Sequence, residues 1–350
     1  MLYLVLFIIF EITSQTYYLA GQPINIGMGI FRKKKTSGKK PTLQEKIVNR
    51  TANVVHLTHN DLDAAGSDAV CRMVFGDEIV TLFSSVNRFE WFLAQVSGCN
   101  GKGDTLVISD LGYQKGIEDK VRKAHAAGWN IRWFDHHKWT EEEKQRVMPF
   151  VESLTVDTSR CATGVLCHAL QPNQPYAEEV ARVVCDYDLW KHEDPRSAIL
   201  GIVTSGSSNL KLIRDKLTAG IIVDSEVQQI FDRIEKEKNR CIKKSLKAAK
   251  VHQGKYKIVI MPSYGYPSET AAEVRKILQS EIELLVFDNG KFSLRSVPEI
   301  SHLIAREFSG GGHPNASGGN LGYGWKEKML FKLFRRVSKQ KEFLAAAEKY

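Results

Sequence analysis

The chain has 350 residues, 43% hydrophobic and 25% charged, which leaves room for two domains with separate cores and excludes both a lone small module and a largely disordered chain. Its formal charge of +9 is concentrated in residues 32–50, through Arg32, Lys33, Lys34, Lys35, Lys39, Lys40, Lys46 and Arg50. The folded body is therefore nearer neutral, and the run is read as a solvated tail offering at most a weak nucleic-acid contact.

Ahead of that run, Leu2–Phe10 is apolar but stops at Glu11. It is far shorter than the roughly 20 apolar residues that span a bilayer and has no basic region before it. It reads as an extension, with Met28-Gly29 as a candidate start and membrane association through residues 1–20 as the weaker alternative. From Asn53 onward, short β-rich runs alternate with helical stretches, the mark of a parallel α/β sheet. Val54–Thr58, Glu78–Phe83, Thr105–Ser109 and Ile131–Phe134 predict four strands, and Gly116–Ala127, Ala162–Leu170 and Ala177–Val184 predict helices. Residues 206–250 are highly charged and free of proline, which predicts one long connecting helix. Lys257–Met261, Ile282–Phe287 and Phe292–Val297 predict further strands, with a hairpin at Asp288-Asn289-Gly290. Trp325–Tyr350 reads as one basic amphipathic helix with Met329, Leu330, Leu333 and Val337 on its apolar side.

The resulting plan is an α/β chain in five parts: an extension over 1–50, a parallel-sheet domain over 51–205, a helical linker over 206–250, a smaller α/β domain over 251–324 and a basic helix over 325–350. Six cysteines, at 71, 99, 161, 167, 185 and 241, show no CxxC pair. They read as buried free thiols of a reducing, cytoplasmic compartment.

The chemistry gathers at strand ends. His59-Asn60-Asp61-Leu62-Asp63 follows the first strand, Val107-Ile108-Ser109 ends in Asp110, and Arg132-Trp133-Phe134 ends in Asp135-His136-His137. A fourth apolar stretch, Arg182–Cys185, runs into Asp186-Tyr187-Asp188. Open α/β sheets bind ligands at the carboxyl ends of their strands. A single Asp there commonly just caps the next helix, but four such sites at one edge ask for more than capping. So many carboxylates stay ionised together only when cations balance them. Carboxylates with imidazoles and no thiolate favour Mn2+ or a similar divalent ion. The supply suits two ions sharing one carboxylate, about 3.5–4 Å apart, activating a water for phosphoester hydrolysis.

Further on, Gly310–Gly319 includes Gly311, Gly312 and His313. Consecutive glycines let backbone N–H groups approach an anion, forming a phosphate nest. The strand before it ends in Arg295, whose guanidinium is shaped to grip a phosphate.

Together these segments resemble the DHH phosphoesterase superfamily over about residues 53–320, with four strand-end motifs in family order and a Gly310–Gly319 run similar to the signature of the DHH-associated C-terminal domain. The resemblance implies an active site in the cleft between two domains. It implies that His59 and Asp61 hold one Mn2+, that Asp63, His136 and Asp186 hold the other, and that Asp110 bridges them; Asp188 is the alternative to Asp186. His137 would act at the substrate, with Asp135 orienting the histidines from behind it. Arg295, Gly311, Gly312 and His313 would hold the substrate's phosphate. The compact pattern is most similar to the nano-RNase and cyclic-nucleotide phosphodiesterase branch, which implies hydrolysis of short oligoribonucleotides or small cyclic or linear nucleotides. A 3′-phosphoadenosine-5′-phosphate phosphatase, a single-strand exonuclease and a nucleotide sensor without turnover are the alternatives, and a homodimer is compatible with the pattern.

Overall fold

The structure, a computed structural model, describes residues 41–350. The apolar stretch, Met28-Gly29 and the basic run as far as Lys40 lie outside the described residues.

Five parallel strands form the first sheet: β1 (Val54–Thr58), β2 (Ile79–Phe83), β3 (Thr105–Ser109), β4 (Asn130–Asp135) and β5 (Ser153–Val156). All of β1 and the last four residues of β3 are buried, as expected for central parallel strands covered on both faces. The order is β2-β1-β3-β4-β5. Chain progression reverses direction between β1 and β3, the switch point at which open α/β sheets leave a crevice beyond their carboxyl ends. Four strands fall where the pattern puts them; β5, a short half-buried edge strand, carries too few alternations to be read.

The helices around this sheet are α1 (Leu43–Val48), α2 (Leu62–Phe75), α3 (Phe89–Ser97), α4 (Ile117–Ala126), α5 (Glu141–Val147), α6 (Ala162–Leu170), α7 (Ala177–Asp188) and α8 (Pro195–Thr204). α1 buries Ile47 in the same core as Leu57, Leu106 and Trp133. The end of the basic run is docked rather than solvated: Arg50 donates to Asp104 Oδ2 at 2.6 Å and to the Gly101 carbonyl at 2.8 Å, with its guanidinium 4.4 Å from the Trp129 ring. The long helix expected over 206–250 is two, α9 (Leu210–Thr218) and α10 (Ser225–Lys247). The break lies at Gly220, whose φ of +75° brings the chain against the Tyr176 ring, and Asp224 caps α10 through the Val227 N–H.

The second sheet has the order β10-β11-β9-β8-β7-β6, formed by β6 (Lys250–Gln253), β7 (Lys257–Pro262), β8 (Ile282–Val286), β9 (Lys291–Ser296), β10 (Gly311–His313) and β11 (Ala316–Asn320), with α11 (Pro267–Leu278) and α12 (Ser301–Arg306) between strands. Only β7 and β8 pair in parallel; the other pairs are antiparallel. The expected hairpin joins β8 to β9. The C-terminal stretch is two helices, α13 (Trp325–Phe334) and α14 (Gln340–Glu348), separated by left-handed residues at Arg335 and Lys339. α13 is seated by Phe331, while Met329 and Leu333 face solvent and Val337 is buried in the bend.

Cys161 and Cys185 form a disulfide, with Cα atoms 5.0 Å apart. This corrects the expectation of six free thiols: α6 and α7 lie side by side, a tertiary fact that spacing does not carry. Cys71, Cys99, Cys167 and Cys241 are free and buried. No helix among the described residues is long and apolar enough to cross a membrane.

Candidate metal centre

The loop after β1 delivers His59, Asp61 and Asp63. Asp61 caps α2 by accepting from the Ala64 N–H at 3.1 Å, and its other oxygen lies 2.7 Å from His59 Nδ1. Asp63 enters the first turn of α2 and is fully buried. Its Oδ2 accepts from the Ala162 N–H at 2.7 Å and its Oδ1 from the Thr163 N–H and hydroxyl at 2.8 and 2.6 Å. That reach depends on close helix approach, since a Cβ on Gly66 of α2 would come within 2.5 Å of Thr163 Oγ1.

Asp110 follows β3 with a φ of 54°, a left-handed conformation that Asp tolerates better than most residues. Beneath it, Ser109 Oγ meets His56 Nε2 at 2.8 Å and His56 Nδ1 meets Asp68 at 2.8 Å. These three have the spacing of a hydrolase relay, yet all are fully buried. They act as a brace, with Arg214 and Arg72 also held on Asp68.

Beyond β4, His136 Nε2 lies 3.3 Å from Asp110 Oδ1 and 3.9 Å from Asp63 Oδ2, while its Nδ1 lies 3.7 Å from Asp188 Oδ2. His137 is half exposed and meets Asp135 Oδ1 at 2.8 Å through Nδ1; the fully buried Asp135 also accepts from the Trp139 indole at 2.7 Å. Gly112 lets this pair close down, because a Cβ there would stand 3.1 Å from that of His137.

Among the described residues, three triads have ligand atoms within 4.8 Å of one another: His59, Asp61 and Asp110; Asp63, His136 and Asp188; Asp110, His136 and His137. Asp110 belongs to two of them. Asp186 does not join the cluster. Its carboxylate accepts from the Glu193 N–H at 3.0 Å, the Asp194 N–H at 3.2 Å and the Ser197 hydroxyl at 2.5 Å, and Asp188 stands at the cluster instead. The reason is helical geometry. Asp186 and Asp188 both lie in α7, where two residues are about 200° apart around the axis, and Asp188 continues the buried Val180–Val184 row at i+4.

The electrostatics ask for cations. Burial, then the charges of Asp110 and Asp188, push the Asp63 carboxyl well above the carboxylate range. Burial and the Asp110 and Asp61 charges raise Asp188 to about 6. Asp110 and Asp61 raise His59 to about 10. Burial pushes His136 down, but Asp110, Asp63 and Asp188 together raise it to about 9. Asp110 Oδ2 and Asp188 Oδ2 are buried without a hydrogen-bond partner. Two orphaned anionic oxygens beside imidazoles are a donor set that divalent cations complete.

In the second sheet the Gly310–Gly319 run is a β-hairpin, β10 and β11, rather than an open nest. Register pairs His313 with Ala316 and Ala316 with Arg295. Directly opposed residues share a face, so Arg295 and His313 flank the small Ala316 on one side of the sheet. Arg295 is steadied by the Ser293 and Ser268 hydroxyls at 2.9 and 2.8 Å, and Gly311, Gly312 and His313 are exposed.

No family model matches the chain. It is 24% identical over 286 residues, 75% of this chain and 71% of the relative, to the oligoribonuclease NrnB of Bacillus subtilis (strain 168). Among solved structures, a pGpG-specific phosphodiesterase, PggH from Vibrio cholerae, covers 85% of this chain and 100% of its own, with 13% identity and a TM-score of 0.50. The chain resembles the DHH-family, nano-RNase-like phosphoesterases. A solved DHH domain described as a member of the s1p family of ribosomal proteins covers 87% of this chain and 88% of its own, at 15% identity and a TM-score of 0.39. Of the two carboxylates left open in the fourth motif, Asp188 rather than Asp186 reaches the cluster. Thr163, which grips Asp63, was not singled out from sequence; its place in the first turn of a helix following the short Asp157–Cys161 loop is the only local signal.

Proposed function

We propose that the chain is a phosphodiesterase that hydrolyses short oligoribonucleotides or small nucleotides, with two Mn2+ or similar divalent ions at the Asp110 cluster. The observation that carries the reading is Asp110 itself, shared by two triads and holding a buried carboxylate oxygen with no hydrogen-bond partner. His59, Asp61 and Asp110 would hold one ion, and Asp63, His136, Asp188 and the shared Asp110 the other. Bound there, such ions supply Lewis-acid polarisation of a phosphoryl group and a more acidic water.

The chain's own residues do the rest. The Ala162 and Thr163 N–H groups fix Asp63, and the Asp135 carboxylate orients His137 and raises its pKa. With Nδ1 engaged, His137 turns Nε2 outward, where it donates to a phosphoryl oxygen or a departing hydroxyl. Arg295 and His313, side by side on the second sheet, anchor a terminal phosphate, which puts the scissile bond between the two sheets. The two proteins named above, an oligoribonuclease and a pGpG-specific phosphodiesterase, support a nucleotide substrate. The test is a screen of metal-stripped protein with added Mn2+ or Mg2+ against dinucleotides, short RNA, cyclic dinucleotides and 3′-phosphoadenosine-5′-phosphate. Turnover of a short diester is expected; tight nucleotide binding without turnover of any would make the chain a sensor and overturn the reading.

A further inference from the structure

We infer that Trp190 is a stacking platform for a nucleobase of the substrate, set at the rim of the Asp110 cluster. The inference rests on the proposed function and adds the contact that recognises the base. Trp190 is 79% exposed, the highest value among the large hydrophobic side chains of the described residues. A single exposed indole is ordinary. What sets this one apart is the turn that holds it. Trp190 and His192 both have left-handed backbones, with φ of 56° and 53°, a conformation that costs residues other than glycine.

Asp186 offsets that cost. Its carbonyl accepts from the Lys191 and His192 N–H groups at 3.0 and 3.3 Å, while its carboxylate takes the Glu193 and Asp194 N–H groups and the Ser197 hydroxyl. A strained turn pinned by a buried carboxylate is rigid, and its product is an indole facing water. The ring has a backing. Tyr187 lies nearly parallel to it, with centroids 6.5 Å apart and planes 22° apart, and His192 meets it edge-on at 5.0 Å. Tyr187 is itself fixed against α8, where only a glycine fits: a Cβ on Gly201 would stand 2.0 Å from Tyr187 Cζ.

Position completes the case: Asp188, the residue after Tyr187 and two before Trp190, stands in the cluster with Asp63 and His136. The aromatic group therefore follows directly on the carboxylate that the helix contributes to the metal centre. Stacking on an indole suits any base and excludes a bare phosphate ester, so the platform selects nucleotides as a class with little preference among bases.

The test compares wild type with Trp190→Leu, which keeps an apolar side chain but has no π face, and with Trp190→Phe, which keeps one. With the RNA dinucleotide ApA and Mn2+, Trp190→Leu should raise KM about tenfold with kcat within twofold, and Trp190→Phe should recover most of the loss. With an abasic analogue, the wild-type advantage in kcat/KM should vanish. Equal KM values for wild type and Trp190→Leu on ApA overturn the platform. If wild type turns over nothing, the phosphodiesterase reading falls separately, and the Kd for ApA from titration calorimetry still decides: a tenfold weakening in Trp190→Leu sustains the platform and equal affinity ends it.

Discussion

The carboxyl edge of the first sheet and the glycine hairpin of the second are built on opposite plans. At the first, the supporting carboxylates are buried and held by other groups: Asp63 by two backbone N–H groups and a hydroxyl, Asp135 by a histidine and an indole, Asp110 over the His56–Asp68 brace. Asp110 Oδ2 and Asp188 Oδ2, which belong to the centre, are left without a hydrogen bond. At the second, Gly311, Gly312 and His313 lie open to solvent. Chemistry needs groups fixed before the substrate arrives, because reorganisation during the reaction raises the barrier. Anchoring a phosphate needs only reachable donors. The first region should therefore control kcat and the second KM.

Substitutions that separate those roles give the largest effect. Asp110→Ala and Asp188→Ala should each lower kcat/KM on the order of a thousandfold, with less metal retained after gel filtration by elemental analysis. Wild-type metal content and rate in Asp188→Ala would return the fourth ligand to Asp186.

Asp186→Ala sharpens the comparison from the other side. It strips the partner from two N–H groups and a hydroxyl, so denaturant unfolding should show a loss of about 2–4 kcal/mol, while metal content in the folded fraction stays near two ions per chain. Arg295→Ala and His313→Ala should each raise KM about tenfold and leave kcat within a few fold. A collapse of kcat instead would show the hairpin taking part in the chemistry and break the contrast.

The smallest effect is one of pH on the metal-free protein. Asp63 and Asp188 have folded-state pKa values above their unfolded ones, so each disfavours the fold once pH passes the unfolded carboxylate value of about 4. His59 and His136 are raised too, to about 10 and 9. Their contribution is present in full below the unfolded value of about 6.5 and is lost as pH rises through the folded values. Both signs agree: the metal-free melting temperature should fall between pH 5 and pH 9, and the rise on adding Mn2+ should grow over the same range. A shift independent of pH would mean that the cluster does not carry the uncompensated charge described above.

Local pattern determined a good deal by itself. Continuous apolar runs marked β1, β3 and β4, since central parallel strands are buried on both faces, and the residues following them marked the edge where ligands meet. His59, Asp61, Asp63, Asp110, His136 and His137 were all legible because a strand delivers its next residue to its own carboxyl end wherever it sits in the sheet. The fourth motif was legible only as a pair. A strand would turn Asp186 and Asp188 to the same side, whereas the helix that forms there sets them on opposite sides, and the packing of Val180 and Val184 decides which one faces in.

The Cys161–Cys185 bond, the docking of Arg50 on Trp129, the closing of Gly310–Gly319 into a hairpin and the outward stance of Trp190 belong to the same class. Each depends on which segments of distant sequence become neighbours, or on a turn whose left-handed residues are held by a carboxylate several positions away. Periodicity records the face a residue presents to its own element. It carries no record of what another element will place against that face, and at this site that placement decided which carboxylate stands at the cluster.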